Sequence, residues 1–331
     1  MKTCMKLMIV SALGGALLVG CGEDAPILDF PVRETIWYTD DDNQRAELPT
    51  PDINGMANMP GNGTAGGTAC LTDPTNIRPP ETTADISVAM TVLDFETDDP
   101  VGNVVVQFYR DNVFPEPGAT GFSCEATDNC QMGTSDATGL VPPFMDAGDS
   151  WYSYFIRGRS GPTPASTPVD SAQYNESASA TITGNSVAAS TLSIIPTVLG
   201  LTRVTGTALV AGTVYDCADE PVRGLVIRMF SEGPTETFIA DAGTRTGPGY
   251  RYFNGDGFPD GDQGYTNVDG LFAAANLPVA APLRVEAWYN AGTATAPVPT
   301  LWGCERIRVF PNGVTIVNIR PKRMDITGCT L

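Results

Sequence analysis

Histidine is missing from all 331 residues of this chain. Without imidazole the chain can form neither a Ser-His-Asp triad nor a Cys-His pair, and it lacks the commonest ligand of protein zinc and iron sites. We therefore expect a protein that is not an enzyme. Catalysis by carboxylates or by Lys322 is the least favoured alternative, because no carboxylate pair stands out at the spacing that glycoside hydrolysis requires.

Positive charge is also scarce. The chain has 19 Lys and Arg residues against 38 Asp and Glu residues, which gives a net charge of −19. So acidic a surface repels nucleic acid and anionic lipid headgroups, and this excludes both as partners. Divalent cations and basic patches on other proteins are electrostatically permitted. The alternative interpretation is that the acidity serves only solubility.

The apolar stretch at the N-terminus is too short to span a bilayer, which takes about 20 residues. Residues 7–19 form this stretch, and Lys2 and Lys6 precede it. It ends in Leu18-Val19-Gly20-Cys21, where small residues stand just before a cysteine. This arrangement is typical of a signal peptide rather than of an anchor helix. The alternative is an ordinary secretory signal that is cut nearby.

Leu18-Val19-Gly20-Cys21 matches the lipobox, and in this respect the chain resembles bacterial lipoproteins. The resemblance implies that residues 1–20 are removed and that acyl chains such as palmitate on Cys21 anchor the protein to a membrane. Gly22 rather than Asp follows the cysteine, which favours the outer membrane of a Gram-negative bacterium. Because Lys2 and Lys6 leave with the signal, the net charge changes from −19 to −21.

Cysteine usage agrees with export to an oxidising compartment. Once Cys4 is lost and Cys21 is acylated, six of the eight cysteines are left as disulfide candidates, namely Cys70, Cys124, Cys130, Cys217, Cys304 and Cys329. Cys124 and Cys130 lie close together in a polar loop, and we expect them to pair. The other four allow three connectivities.

The segment after the acylated cysteine predicts a flexible tether. Residues 21–83 include Asp40-Asp41-Asp42 and a Gly-rich stretch at 59–67, and they show neither helical nor strand periodicity. Such a linker would hold the folded part tens of Å from the lipid.

A strand-turn-strand pattern then occurs twice. Its matching segments are Met90-Thr91-Val92-Leu93-Asp94 with Gly212-Thr213-Val214-Tyr215-Asp216, Pro100-Val101 with Pro221-Val222, 104–109 with 225–230, and 135–140 with 266–271. The segments 185–196 and 312–321 also match as the last strand of each copy. The common order predicts a duplicated domain with a boundary near residues 199–202.

The second copy resembles the carboxypeptidase regulatory-like domain, through the matched segments above together with Asn276-Leu277-Pro278 and 283–287. The resemblance implies an all-β fold of two tandem transthyretin-like antiparallel β-sandwiches after a flexible tether, at 84–198 and 199–331. The first copy diverges, because Pro142-Pro143 stands where a strand should continue. The resemblance brings no catalytic residue, since the related enzymes depend on histidine.

An Asp-Gly loop in the second copy is a candidate calcium site. Ca²⁺ prefers several oxygens from alternate residues around a glycine turn, and Asn254, Asp256, Asp260 and Asp262 can supply them. The loop resembles the DxDxDGxxD pattern, but Tyr252 stands where the first Asp should be. The alternative is a solvated acidic turn.

Exposed aromatic rings give the competing functional hypothesis. Trp151, Trp288 and Trp302 lie on predicted strands, where rings that face solvent can stack on sugars. The alternative for each is core packing. We therefore expect a membrane-anchored, non-catalytic lipoprotein that serves as a surface or periplasmic interaction or structural module, with a carbohydrate-binding lipoprotein as the second hypothesis. The protein or glycan partner is not identified by the sequence.

Overall fold

The computed structural model describes residues 86–110, 124, 130–146, 152–158, 168–175, 181–217, 220–232, 234–254, 258–260, 263–290 and 299–321. Sixteen strands and one α-helix lie in these ranges. The strands are β1 Ile86–Asp94, β2 Val105–Arg110, β3 Cys130–Thr134, β4 Leu140–Asp146, β5 Tyr152–Ile156, β6 Ser171–Asn175, β7 Thr181–Ser186, β8 Ala208–Thr213, β9 Val226–Glu232, β10 Glu236–Phe238, β11 Gly249–Phe253, β12 Pro259–Asp260, β13 Leu271–Leu277, β14 Leu283–Asn290, β15 Pro299–Ile307 and β16 Val314–Val317. The helix α1 spans Ala189–Val198.

The strands follow from β-branched and aromatic residues with a period of two. In β9, Ile227 and Met229 are buried in the core, while Arg228 between them lies on the opposite face. The same alternation places Val285 and Ala287 of β14 in the core. The expected all-β sandwich fold is therefore confirmed.

Strands β1–β7 form one sandwich, called copy 1, and β8–β16 form a second, called copy 2. In copy 1 one sheet has the order β4-β1-β7, and β3, β2, β5 and β6 are neighbours in the other. Copy 2 repeats both orders as β13-β8-β16 and β10-β9-β14-β15, and adds β11 and β12 beyond β13. The prediction of antiparallel sheets holds for most pairs, but the first and last strands of each copy pair in parallel.

The repeated sequence segments occupy the same positions in both copies. Val92 N–H donates to Gly139 O and Val214 N–H donates to Gly270 O. The hydroxyl of Ser135 donates to Val101 O in copy 1, as Thr266 Oγ1 does to Val222 O in copy 2, at 2.8 Å in both. In each copy, a side-chain hydroxyl group thus stabilises the corresponding turn.

Two details differ from the sequence prediction. Strand β4 continues through Pro142 and Pro143, because it is an edge strand paired only with β1 among the described strands, and β1 has a bulge opposite the prolines. Residues 189–196 are not the last strand of copy 1. They form α1, while β7 is that strand, and the helix is held by Leu192 in an apolar cluster with copy 2 residues.

Copies 1 and 2 share one sheet. Strand β16 pairs in parallel with β6, with Val314 opposite Ser171 and Val317 opposite Tyr174. This pair joins five strands of copy 2 to four of copy 1, in the order β12-β11-β13-β8-β16-β6-β5-β2-β3. Phe155 of copy 1 and Phe310 of copy 2 also pack with ring centroids 4.5 Å apart. The two sandwiches are therefore joined by backbone pairing and by a common core.

Helix α1 connects the copies and covers the outward face of the nine-stranded sheet in copy 2. Its apolar partners there include Leu209, Phe253 and Val314. The helix has no charged residue, and Pro196 lies within it. In the described part of the chain, no helix has the length and apolar character needed to cross a membrane.

Candidate functional site

Several predicted site residues lie outside the described residues. They are Cys21 and the tether 21–83, together with Cys70, Trp151, Asp256, Asp262, Lys322 and Cys329. Lipidation at Cys21 therefore stays a prediction.

The cysteines within the described residues form disulfides. Cys124 and Cys130 are bonded, with Cα atoms 5.4 Å apart, as the sequence predicts. Cys217 and Cys304 are disulfide-bonded as well, and both are buried. The Cys124–Cys130 bond thus constrains the loop before β3, and Cys217 and Cys304 of copy 2 each take part in a disulfide.

Of the predicted calcium ligands, the structure describes Asn254, which follows β11, and Asp260, which lies in β12. Asn254 N–H donates to Phe258 O, and Asn254 Oδ1 accepts from Phe258 N–H at 3.0 Å, so this side chain closes the turn. Tyr252 is buried, and its hydroxyl oxygen accepts from Ile227 N–H at 2.8 Å. Tyr252 therefore supplies no ligand. Within the described ranges no three acidic or cysteine side chains converge on a metal position, and calcium binding by this loop stays a prediction.

The stacking hypothesis was wrong for Trp302. Its ring is fully buried in the core of copy 2, its Nε1–H donates to Tyr215 O at 2.9 Å, and Tyr289 packs against its edge. A bulge in β15 opposite the Ala287–Trp288 step turns this residue inward. Trp302 stabilises the fold and cannot bind a ligand at the surface.

Trp288 is half-buried on the outward face of the four-stranded sheet, where it forms part of an aromatic–arginine face. This face consists of Arg228, Phe230, Phe238, Arg284 and Trp288. The Arg228 guanidinium lies 5.0 Å from the ring centroids of both Phe230 and Trp288, and the Arg284 guanidinium lies 4.7 Å from Phe230. These cation–π contacts connect β9 with β14.

Two carboxylates neutralise Arg284 of this face. Arg284 forms ion pairs with Glu236 and Glu286, and Glu286 also accepts from Trp288 Nε1–H at 2.7 Å. Burial opposes the charge of Arg284, but these two carboxylates outweigh it and raise its pKa above the usual value. The face is a closed network of internal contacts, and this is the role that the structure assigns to Trp288.

A groove lies between α1 and the nine-stranded sheet, and no pattern in the sequence predicts it. It encloses about 90 Å³, and every lining atom exposed in it is apolar. Helix α1 forms one wall, through Thr191, Ile194, Ile195 and Val198. The opposite wall comes from β16, β8, β13, β11 and β12, through Leu209, Ala211, Phe253, Pro259, Ala273, Val314 and Ile316. We call this feature the helix groove.

One carboxylate lies beside the helix groove, because Glu96 follows the lining residue Phe95. Asp260 does not, since it pairs with the core residue Tyr252 and so lies on the opposite face of β12 from Pro259. Glu96 Oε2 accepts from Thr191 Oγ1 at 2.8 Å, which holds this carboxylate beside the helix. Val198, which lines the groove, is 42% exposed.

No protein-family model matches this chain, and no curated protein does. Among solved structures, it is similar to the shaft pilin SpaA from Lactobacillus rhamnosus GG, with 11% identity and a TM-score of 0.21 over 74% of this chain and 100% of the pilin. A streptococcal ancillary pilin has 14% identity and a TM-score of 0.20, over 72% of this chain and 63% of that chain. The major pilin from Streptococcus pyogenes has 11% identity and a TM-score of 0.17, over 73% and 100%. The fold assignment rests on the strand pairing described above.

Proposed function

We propose that the protein is a non-catalytic interaction and structural module of the bacterial cell envelope, anchored to a membrane by acyl chains on Cys21. The observation that carries the proposal is the β16–β6 pair, which makes one body of two sandwiches. Two sandwiches joined in this way can present a binding surface away from the membrane and can transmit force from one sandwich to the other. This role requires no catalytic centre.

The matched repeat segments support the family part of the proposal. Gly139 and Gly270 have positive φ angles at the same turn, and Leu93 with Pro100 corresponds to Tyr215 with Pro221 as an isolated bridge. These are the positions that resemble the carboxypeptidase regulatory-like domain in sequence. We infer that both copies are domains of this kind, and that the module acts by binding rather than by chemistry.

The lipobox and the tether would explain how the two sandwiches are held at a distance from the membrane. Acylated Cys21 would fix one end, and about 60 flexible residues would place the sandwiches tens of Å from the lipid, in the outer membrane of a Gram-negative bacterium. The net charge of −21 that is left once residues 1–20 and their two lysines are removed would keep the module away from anionic headgroups.

Cell fractionation tests the anchor. The unaltered protein is expected in the membrane fraction and to resist extraction by high salt, whereas Cys21→Ser is expected in the soluble fraction. Cys4→Ser is the matched control, because Cys4 precedes the cleavage site, and it should remain with the membrane. A Cys21→Ser protein that stays membrane-bound would contradict the proposal.

A further inference from the structure

Cys304 lies on the outward face of the four-stranded sheet. It is directly opposite Glu286 of β14, and opposite residues of paired strands point to the same face. Glu286 accepts from the Nε1–H of Trp288, so it points to the aromatic–arginine face. Arg306, two residues further along β15, is 53% exposed on that face. The side chain of Cys304 therefore points away from the core of copy 2.

The chain that leads to Cys217 lies on the core side of β15. Trp302 points from β15 into the core, and its Nε1–H donates to Tyr215 O at 2.9 Å. Tyr215 stands two residues before Cys217, where the chain continues from β8 of the opposite sheet. A disulfide requires Cα atoms within about 7 Å and side chains that face each other. This arrangement does not suit a bond between Cys217 and Cys304.

The outward side of β15 is covered, although β15 is the last of its sheet among the described strands. Leu301, opposite Trp288, is 5% exposed, and Cys304 is 1% exposed. Side chains on the outer face of an edge strand are ordinarily open to water. A segment of chain that is bonded to Cys304 and lies over β15 accounts for this burial.

Both of these copy 2 cysteines are nevertheless disulfide-bonded, and few partners are left for them. The two cysteines of the loop before β3 are bonded to each other. Cys4 leaves with the signal peptide and Cys21 carries lipid in the proposed function. Of the eight cysteines in the chain, Cys70 and Cys329 are then left. The choice of Cys70 over Cys21 thus rests on the proposed function.

We propose that a disulfide joins Cys70 to copy 2, at Cys217 or Cys304, and that Cys329 bonds to the other of these two. Each bond forms when two thiols lose two protons and two electrons to the disulfide of an envelope oxidoreductase, which becomes a dithiol. Both connectivities have the same consequence. The tether leaves the folded body from copy 2, although residue 70 precedes copy 1 in the chain. Its free part shortens to residues 21–69, with an average reach of about 40 Å.

Peptide mapping without reduction tests the bond. Trypsin, which does not cut before proline, separates the four cysteines into peptides 46–110, 204–223, 285–306 and 324–331. The full-length protein is exported in a Gram-negative bacterium, alkylated before lysis to block thiol exchange, and digested without reductant. Mass spectrometry should find 46–110 joined to 204–223 or to 285–306, and 324–331 joined to the other.

A link between 204–223 and 285–306 would overturn the proposal. A link from either of them to the peptide that carries Cys21 would do the same. The mass of the Cys21 peptide also shows whether it is acylated. Failure of the lipid anchor is therefore seen separately from failure of the disulfide.

A cleavage site for a sequence-specific protease, inserted after Pro80, tests the path of the tether. Cleavage should leave the N-terminal fragment attached to the rest of the protein on a non-reducing gel, and a reducing agent should release it. The same insertion with Cys70→Ser is the matched control, and there cleavage alone should release the fragment. Release without a reducing agent from the protein with all its cysteines would overturn the proposal.

Discussion

Gly270 shows at the residue scale why the repeated turn needs glycine. Its φ angle is +63°, and a Cβ there would lie 2.5 Å from Val214 O. Gly139 in copy 1 has the same geometry, with Val92 O at 2.4 Å. A side chain at either position meets both an unfavourable backbone conformation and a backbone atom that cannot move away.

We expect Gly270→Ala to lower the free energy of unfolding by more than about 1 kcal/mol. Gly264→Ala is the matched control, because a Cβ there meets no atom within 4 Å, and it should change stability by less than about 0.5 kcal/mol. Urea denaturation measures both. Equal stability of the two variants would show that the turn tolerates a side chain.

Asp241 is a buried carboxyl whose titration should appear in the stability of the protein. Burial raises its pKa from 3.8 to about 6, although the N–H groups of Tyr250 and Gly243 and the Arg251 guanidinium oppose this rise. The folded protein therefore holds the proton to a higher pH than the unfolded chain does. Because the unfolded chain loses its proton first, stability falls as the pH rises from about 4 to about 6.

Asp241→Asn should remove the fall in the free energy of unfolding between about pH 4 and about pH 6, which we expect to be on the order of 2 kcal/mol. The measurement is the free energy of unfolding at several pH values from 4 to 7 for both proteins. Parallel curves for Asp241→Asn and the unaltered protein would refute this assignment.

Gln131 illustrates, at the scale of elements, how the two sheets of copy 1 are held together at one side. Its Oε1 accepts from Met145 N–H at 2.9 Å, and its Nε2–H donates to Met145 O. One amide on β3 thus takes the place of a backbone partner for the outer edge of β4. On the other side, Gln173 Nε2 of β6 donates to Asn185 O of β7 at 3.0 Å.

Gln131→Ala is expected to lose about 1–2 kcal/mol of stability and to speed hydrogen exchange at the Met145 amide. Thr134→Ala, an exposed position on the same strand, is the control and should leave this amide protected. Exchange measured by mass spectrometry on β4 peptides distinguishes the two. Unchanged protection in Gln131→Ala would mean that the amide does not close this edge.

The strands of copy 2 could be predicted because their alternation, glycine turns and repeated order all agreed. Helix α1 could not be predicted, because residues 189–198 contain Ile194 and Ile195 in a pattern that also suits a strand. The conformation of these residues depends on their packing against a sheet that is distant in the sequence. Trp302 was misassigned for a similar reason. A bulge changes the side to which a residue points, and the sequence does not reveal it.

In the part of the chain that the structure describes, one sheet and one core cross the boundary near residue 199. Tyr174 of copy 1 belongs to the same buried cluster as Phe310 of copy 2, and its hydroxyl oxygen accepts from Arg308 N–H at 2.7 Å. The sequence predicted two domains in series. It did not predict that the last strand of one would pair with a strand of the other, since this pairing leaves no local pattern.

We expect a single unfolding transition for the unaltered protein, because the shared core couples the two copies. Phe310→Ala removes the contact with Phe155, and should cost about 3–4 kcal/mol and separate the transition into two. Phe258→Ala, at a residue 50% exposed, should keep one transition. Scanning calorimetry is the measurement, and two transitions in the unaltered protein would contradict the coupling.

The central claim is that this body is displayed from a membrane by lipid on Cys21, and the covalent state of the N-terminus tests it most directly. Mass spectrometry of the N-terminal peptide, from full-length protein expressed in a Gram-negative bacterium, should find a peptide that begins at Cys21. Its mass should include a thioether-linked diacylglycerol and an amide-linked acyl chain. A peptide that retains residues 1–20, or one that begins with a free amine at another residue, would contradict the claim.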